Sequence, residues 1–151
     1  EYRIREATRR LTDREHYGHL TLAALAEQGE ARAVVRQFCQ RVYSADYRKQ
    51  YAATFAAMEA APVPSEDLRR LAVMARACLT FDVYGQLNEI RCPAMVIGAW
   101  NDRVLSSQSS VEMARRGHWP LYMYGRYGHA AYDEAPDFKQ RIQHFFNQAY
   151  K

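Results

Sequence analysis

The run Pro93-Ala94-Met95-Val96-Ile97-Gly98-Ala99 constrains the fold more than any other stretch of the chain. It is apolar throughout and punctuated by proline and glycine, the pattern of a strand covered on both faces, as in a parallel sheet. Parallel pairing demands a second strand reached through a crossover. Leu121-Tyr122-Met123-Tyr124 is that second strand, and Ser106 to Arg116, with Val111 and Met113 among polar residues, predicts the helix between them. Beyond it, Phe138, Ile142, Phe145, Phe146 and Ala149 fall on one helical face, with Pro136 placed in the first turn. Strand, helix, strand, helix makes this part of the chain α/β.

The first half has a different texture. Up to about residue 80 it is rich in Ala, Arg, Glu and Gln, with Gly18 and Gly29 its only glycines, a helical composition. Thr12 and Glu15 have the spacing of a capping box, and Leu20, Ala24 and Glu27 run toward a helix stop at Gly29. Val34, Val35, Phe38, Cys39 and Val42 predict one amphipathic helix. Ser44 is placed to cap the next, which carries Tyr47, Tyr51, Phe55 and Met58. Ala61-Pro62-Val63-Pro64 must break it, and Ser65 with Glu66 and Asp67 restarts a helix whose stripe is Leu68, Leu71, Ala72, Ala75, Cys78 and Leu79.

With 151 residues, 48% of them hydrophobic, the chain is long enough for one compact domain. No run approaches the ~20 apolar residues of a membrane span, and no basic-then-apolar leader opens the chain. The first residue is Glu1 rather than Met, which points to a trimmed, processed or partial chain. Cys39, Cys78 and Cys92 are far apart without CxxC spacing, so they are expected to be buried free thiols in a reducing compartment, and the protein cytoplasmic. Arg3, Arg5, Arg9, Arg10 and Arg14 cluster, but acids interrupt them and no aromatic platform follows, which argues against nucleic acid as a partner. His16 and His19 sit three apart without a third ligand, so no metal is expected.

Each strand ends in a loop with a titratable group: Trp100-Asn101-Asp102-Arg103 after the first, Gly125-Arg126-Tyr127-Gly128-His129 after the second. In open parallel sheets, sites form beyond the carboxyl ends of the strands, so adjacent strands would bring Asp102 and His129 to one edge. An aspartate that accepts the imidazole N–H fixes the tautomer and leaves the other nitrogen as a base. Gly128 would let the backbone turn tightly before the histidine. Taken alone, Asp102 reads as a turn former and His129 as an ordinary loop residue. His118 reads as loop, and His144 as one face of the last helix.

The joint pattern resembles the C-terminal portion of an α/β-hydrolase. The run IRCPAMVIGAWNDRVLSSQSS followed by LYMYGRYGHAAYDEAPDFKQRIQHFF carries the likeness over about residues 87 to 149. The resemblance implies an incomplete α/β-hydrolase fold, with residues 1–86 a helical cap-like region and 87–151 the C-terminal part of the core. Phe81-Asp82-Val83-Tyr84 with Leu87 resembles the link from cap to sheet. It also implies Asp102 as the triad acid and His129 as the triad histidine. The parent would be a serine-type hydrolase of a small apolar ester, lactone or related carbonyl substrate. Tyr43, Tyr47, Tyr51 and Phe55 would line a wall of its pocket, and no cofactor is implied.

The departure is as informative. In the family the nucleophile comes first, on a G-x-S-x-G elbow. Ser44, Ser65, Ser106, Ser107, Ser109 and Ser110 all lack a glycine two residues to either side, and an HGG-type oxyanion segment is absent. An acid nucleophile would sit on the same missing elbow. Cys92 lies at the wrong end of its strand and reads as a structural thiol. The chain alone is therefore expected to be inactive, with the N-terminal half of the fold as its natural partner. The alternatives are one half of a split enzyme completed by a second chain, and a non-enzymatic binding module.

Overall fold

In the computed structural model, described for residues 17–149, helices carry the first half of the chain. The Thr12/Glu15 capping box, the arginines Arg3, Arg5, Arg9, Arg10 and Arg14, and His16 lie outside the described residues. The order is α1 (17–27), α2 (Ala31–Val42), α3 (Ala45–Gln50), α4 (Ala52–Ala60) and α5 (Ser65–Cys78), then a 3₁₀ turn at Tyr84–Glu89. β1 (Val96–Ala99), α6 (Ser106–Gly117), β2 (Leu121–Tyr124), α7 (Ala131–Glu134) and α8 (Phe138–Ala149) follow. These elements form two compact units within the described residues: 17–41 with Ala45–Phe81, and Val42–Ser44 with 82–149.

In the helical unit, α1 stops where expected. Gly29 takes φ +75°, and the Glu30 amide donates to the Leu25 carbonyl, closing the helix end with a residue that carries no Cβ penalty. Leu68 and Ala72 of α5 pack with Ala26 and Val34, and Val63, Leu71, Leu25 and Ala31 border the cluster. Arg76 donates through two nitrogens to both carboxylate oxygens of Glu27, each at 2.7 Å, tying α5 to α1.

The single helix expected through Tyr47, Tyr51, Phe55 and Met58 is two. Tyr51 stands between α3 and α4 at φ −109°, ψ 33°. Amide bonds from Tyr51 to Tyr47 and from Phe55 to Tyr51 continue across the break, so it is a local bend. Phe38 is 43% exposed although it shares an arc with buried Val34 and Val42, because that arc is wider than the surface covering it. Of the cysteines, all free, only Cys39 is buried. Cys78 is the last residue of α5, at the margin of the Leu68–Ala72–Ala75 stripe, and Cys92 lies in the exposed approach to β1, so neither is a packed thiol.

In the other unit, β1 and β2 pair in parallel, Val96 opposite Leu121 through Ala99 opposite Tyr124, with α6 as the crossover packed on β1. Ala99, Tyr124, Ala131 and Ala135 form the core, bordered by Ile97, Tyr122, Tyr127 and Phe138. Four-residue α7, not expected from the sequence, follows the His129 loop; at one turn it is too short to show a helical period. Pro136 precedes α8 by two residues instead of sitting inside it, in a turn closed by the Phe138 amide on the Ala135 carbonyl. α8 forms over the expected span, yet none of its residues is buried, and Phe146 is 49% exposed. The Val96 amide donates to the Pro120 carbonyl and the Trp100 amide to that of Tyr124. That phase turns the Ile97 main-chain groups toward the edge of β1 away from β2. No described helix is long and apolar enough to cross a membrane.

Candidate active site

The parallel register places the ends of β1 and β2 side by side, and the Trp100–Tyr124 bond extends the pairing one residue past β1. The chain then turns, with the Asp102 amide donating to the Ala99 carbonyl at 3.2 Å. Asp102 Oδ1 accepts the amides of Val104 at 2.7 Å and Leu105 at 3.0 Å. Its other oxygen, Oδ2, lies 2.9 Å from His129 Nδ1. The turn-forming reading of Asp102 and the pairing with His129 are thus both satisfied, one by each oxygen.

A carboxylate only accepts hydrogen bonds, so the proton of this contact belongs to Nδ1, and Nε2 of the neutral ring keeps its lone pair. The Asp102 side chain is 9% exposed and that of His129 31%, leaving the ring open on one side. Burial alone would raise the Asp102 carboxyl. The hydrogen bonds from His129, Leu105 and Val104, with the charge interaction of His129, outweigh it and hold the group below the ordinary carboxylate range. The unfolded chain therefore takes up this proton first, near the ordinary aspartate value of ~3.9. The stabilisation is complete above that value and is lost as pH falls through the lower folded one. The urea midpoint is expected to drop more steeply between about pH 5 and pH 3 for the wild type than for Asp102→Asn; parallel slopes would contradict this.

The loop that carries His129 is pinned from a distant part of the sequence. The Ala130 amide donates to the Val42 carbonyl at 2.9 Å. Glu134 Oε1, on α7, accepts the amides of Ser44 at 2.8 Å and Gly128 at 3.4 Å. A Cβ on Gly128 would lie 2.7 Å from the Val42 carbonyl oxygen. Its φ is not in the left-handed region, so glycine serves close approach here, not the tight turn expected from sequence. Glu134 is not singled out by sequence reasoning. Val42, Tyr43 and Ser44 read there as helix face, pocket wall and helix cap instead of as supports of the His129 loop, because a 90-residue separation offers no local signal for that role.

The four aromatic residues assigned to a substrate wall divide between the two units. Tyr43 donates its hydroxyl to Asp133 Oδ2 at 3.1 Å. Tyr47, Tyr51 and Phe55 gather in the helical unit, with ring centroids 4.6 Å apart for Tyr47–Tyr51 and 6.3 Å for Tyr47–Phe55. The cavity that Phe55 lines also carries three arginines. Among the described residues, no three His, Cys, Asp or Glu side chains come together as a metal site. His118 takes φ 54° in the cap of α6, and His144 is an exposed residue of α8.

No sequence family matches the chain, and no curated protein does either. Its structure is similar to that of an enol-lactonase from Burkholderia xenovorans LB400, at TM-score 0.72 and 19% identity over 85% of this chain and 49% of that one. It is similar also to MGS-M2, an α/β-hydrolase enzyme from a Medee basin deep-sea metagenome library, at TM-score 0.76 and 18% identity over 91% of this chain and 52% of that one. The chain thus spans about half the length of these solved structures. Its fold is a partial α/β-hydrolase fold, the C-terminal portion, rich in helix and holding two parallel strands.

Proposed function

We propose that this chain supplies the acid and the histidine of a serine-type α/β-hydrolase whose nucleophile lies on the N-terminal half of the fold. The observation that carries the reading is the 2.9 Å contact between Asp102 and His129 just beyond the ends of two parallel strands. In the completed protein His129 Nε2 takes the proton of the nucleophilic hydroxyl as it attacks the carbonyl carbon, then delivers it to the leaving oxygen. Asp102 holds the ring in the required tautomer and stabilises the imidazolium. The substrate is a small apolar ester or lactone, in keeping with one neighbour being an enol-lactonase. Residues 1–86 act as a helical cap, and Tyr43, in the same unit as His129, contributes to the pocket wall.

The open edge of β1 and the half-exposed apolar face of α8 favour completion by a further part of the fold. A hydrolase N-terminal half bearing a glycine-flanked serine elbow, mixed with this chain, is expected to cleave p-nitrophenyl acetate and a simple lactone faster than either piece alone. His129→Gln should abolish the gain. A rate no greater than the sum of the separate pieces would sink the proposal.

A further inference from the structure

The helical unit contains a cavity of about 270 Å³ whose lining includes Arg32, Arg36, Cys39, Gln40, Arg48 and Glu59. Three guanidinium groups face one carboxylate, so the described lining has two positive charges in excess. Glu59 is already engaged, its Oε2 accepting from Arg36 Nε at 3.1 Å. Cys39 adds no negative charge: burial pushes its thiol up, nearby Glu59 adds to that, and Arg48 offsets only part. Arg48 Nε is itself buried with no hydrogen-bond partner. A buried donor on a charged group is costly to leave unmet, and planar guanidinium forks suit oxyanions. The volume falls just below the ~300–1,000 Å³ of drug-sized ligand sites, which favours a compact occupant.

We propose that this cavity binds a compact dianionic oxyanion, of the phosphate or dicarboxylate class, with Arg48 and Arg32 as the donors and Gln40 as a neutral partner. This site stands independently of any catalytic role for His129. Arg36 remains committed to Glu59 and keeps that acid from competing with the ligand.

The test titrates inorganic phosphate and, separately, succinate into the 151-residue chain at constant ionic strength. The Arg48 Nε–H signal is followed by ¹⁵N NMR and assigned by its loss in Arg48→Lys. A saturable shift with either anion is expected, and the anion that saturates at lower concentration identifies the preferred class. Arg32→Met, at an exposed position and followed by the same signal, and Arg48→Met, followed by titration calorimetry, should each weaken binding about tenfold or more, since each removes a charged donor. Arg91→Met, in the other unit, should leave it unchanged. Circular dichroism of each variant separates lost binding from lost fold, and Arg32→Met decides the matter if Arg48→Met unfolds. Shifts that rise with anion concentration without saturating, or affinity equal in wild type and Arg32→Met, would overturn the assignment.

Discussion

Asp102→Asn is expected to lower kcat of the completed hydrolase by about 10³–10⁴-fold while leaving the fold of this chain in place. Two Asp102 oxygens do two jobs, and asparagine can do only one of them. Its amide oxygen can still accept from Val104 and Leu105, as Oδ1 does now. That leaves the NH₂ group facing His129 Nδ1, where a carboxylate oxygen sits at 2.9 Å. A donor there makes Nδ1 an acceptor and moves the ring proton to Nε2, the atom that takes the nucleophile's proton in the proposed mechanism. The base is then blocked by its own tautomer. The isolated chain suffices for a first check, because ¹⁵N NMR of His129 should report protonated Nδ1 in the wild type and protonated Nε2 in Asp102→Asn. An unchanged tautomer, or a completed variant enzyme retaining more than about a tenth of wild-type kcat, would count against the assigned role.

The β1–α6–β2–α8 half was legible in the sequence because each element shows its period locally. β2 and α6 lie almost where periodicity puts them, and the parallel register brings Asp102 and His129 together as the strand order requires. What the sequence did not show depends on contacts between distant residues. Glu134 reaches back to Ser44, and Ala130 to Val42, across gaps with no repeating pattern. The bend at Tyr51 interrupts a run whose spacing reads as one helix. Burial was misjudged where the amphipathic arc exceeds its cover, as at Phe38, Cys78 and the apolar face of α8. Periodicity reports which face of a helix prefers to be covered, not what is there to cover it.

Gly128→Ala is expected to destabilise the chain by about 1–3 kcal/mol, the cost of inserting a methyl into filled space. The added Cβ would stand 2.7 Å from the Val42 carbonyl oxygen, 3.0 Å from the Ser44 nitrogen and 3.1 Å from the Tyr43 carbonyl carbon. All three are backbone atoms, and they cannot swing aside as the tip of a side chain would. The Val42 carbonyl is held by the Ala130 amide and the Ser44 amide by Glu134. Relief must therefore come from the loop itself, which carries His129 next to the new methyl. At about 2–4 °C per kcal/mol for a chain of this size, the melting temperature should fall by several degrees, and further in Gly128→Val. Gly125→Ala is the matched control, because nothing lies within 4 Å of its Cβ position, and its effect should stay within about 0.5 kcal/mol. In the completed enzyme a loop shift approaching 1 Å would cost about 10²-fold in rate, so Gly128→Ala should lose activity beyond what its lost stability explains. Equal melting temperatures for Gly128→Ala and Gly125→Ala would mean that the 42–44 backbone yields, and that it does not fix the position of His129.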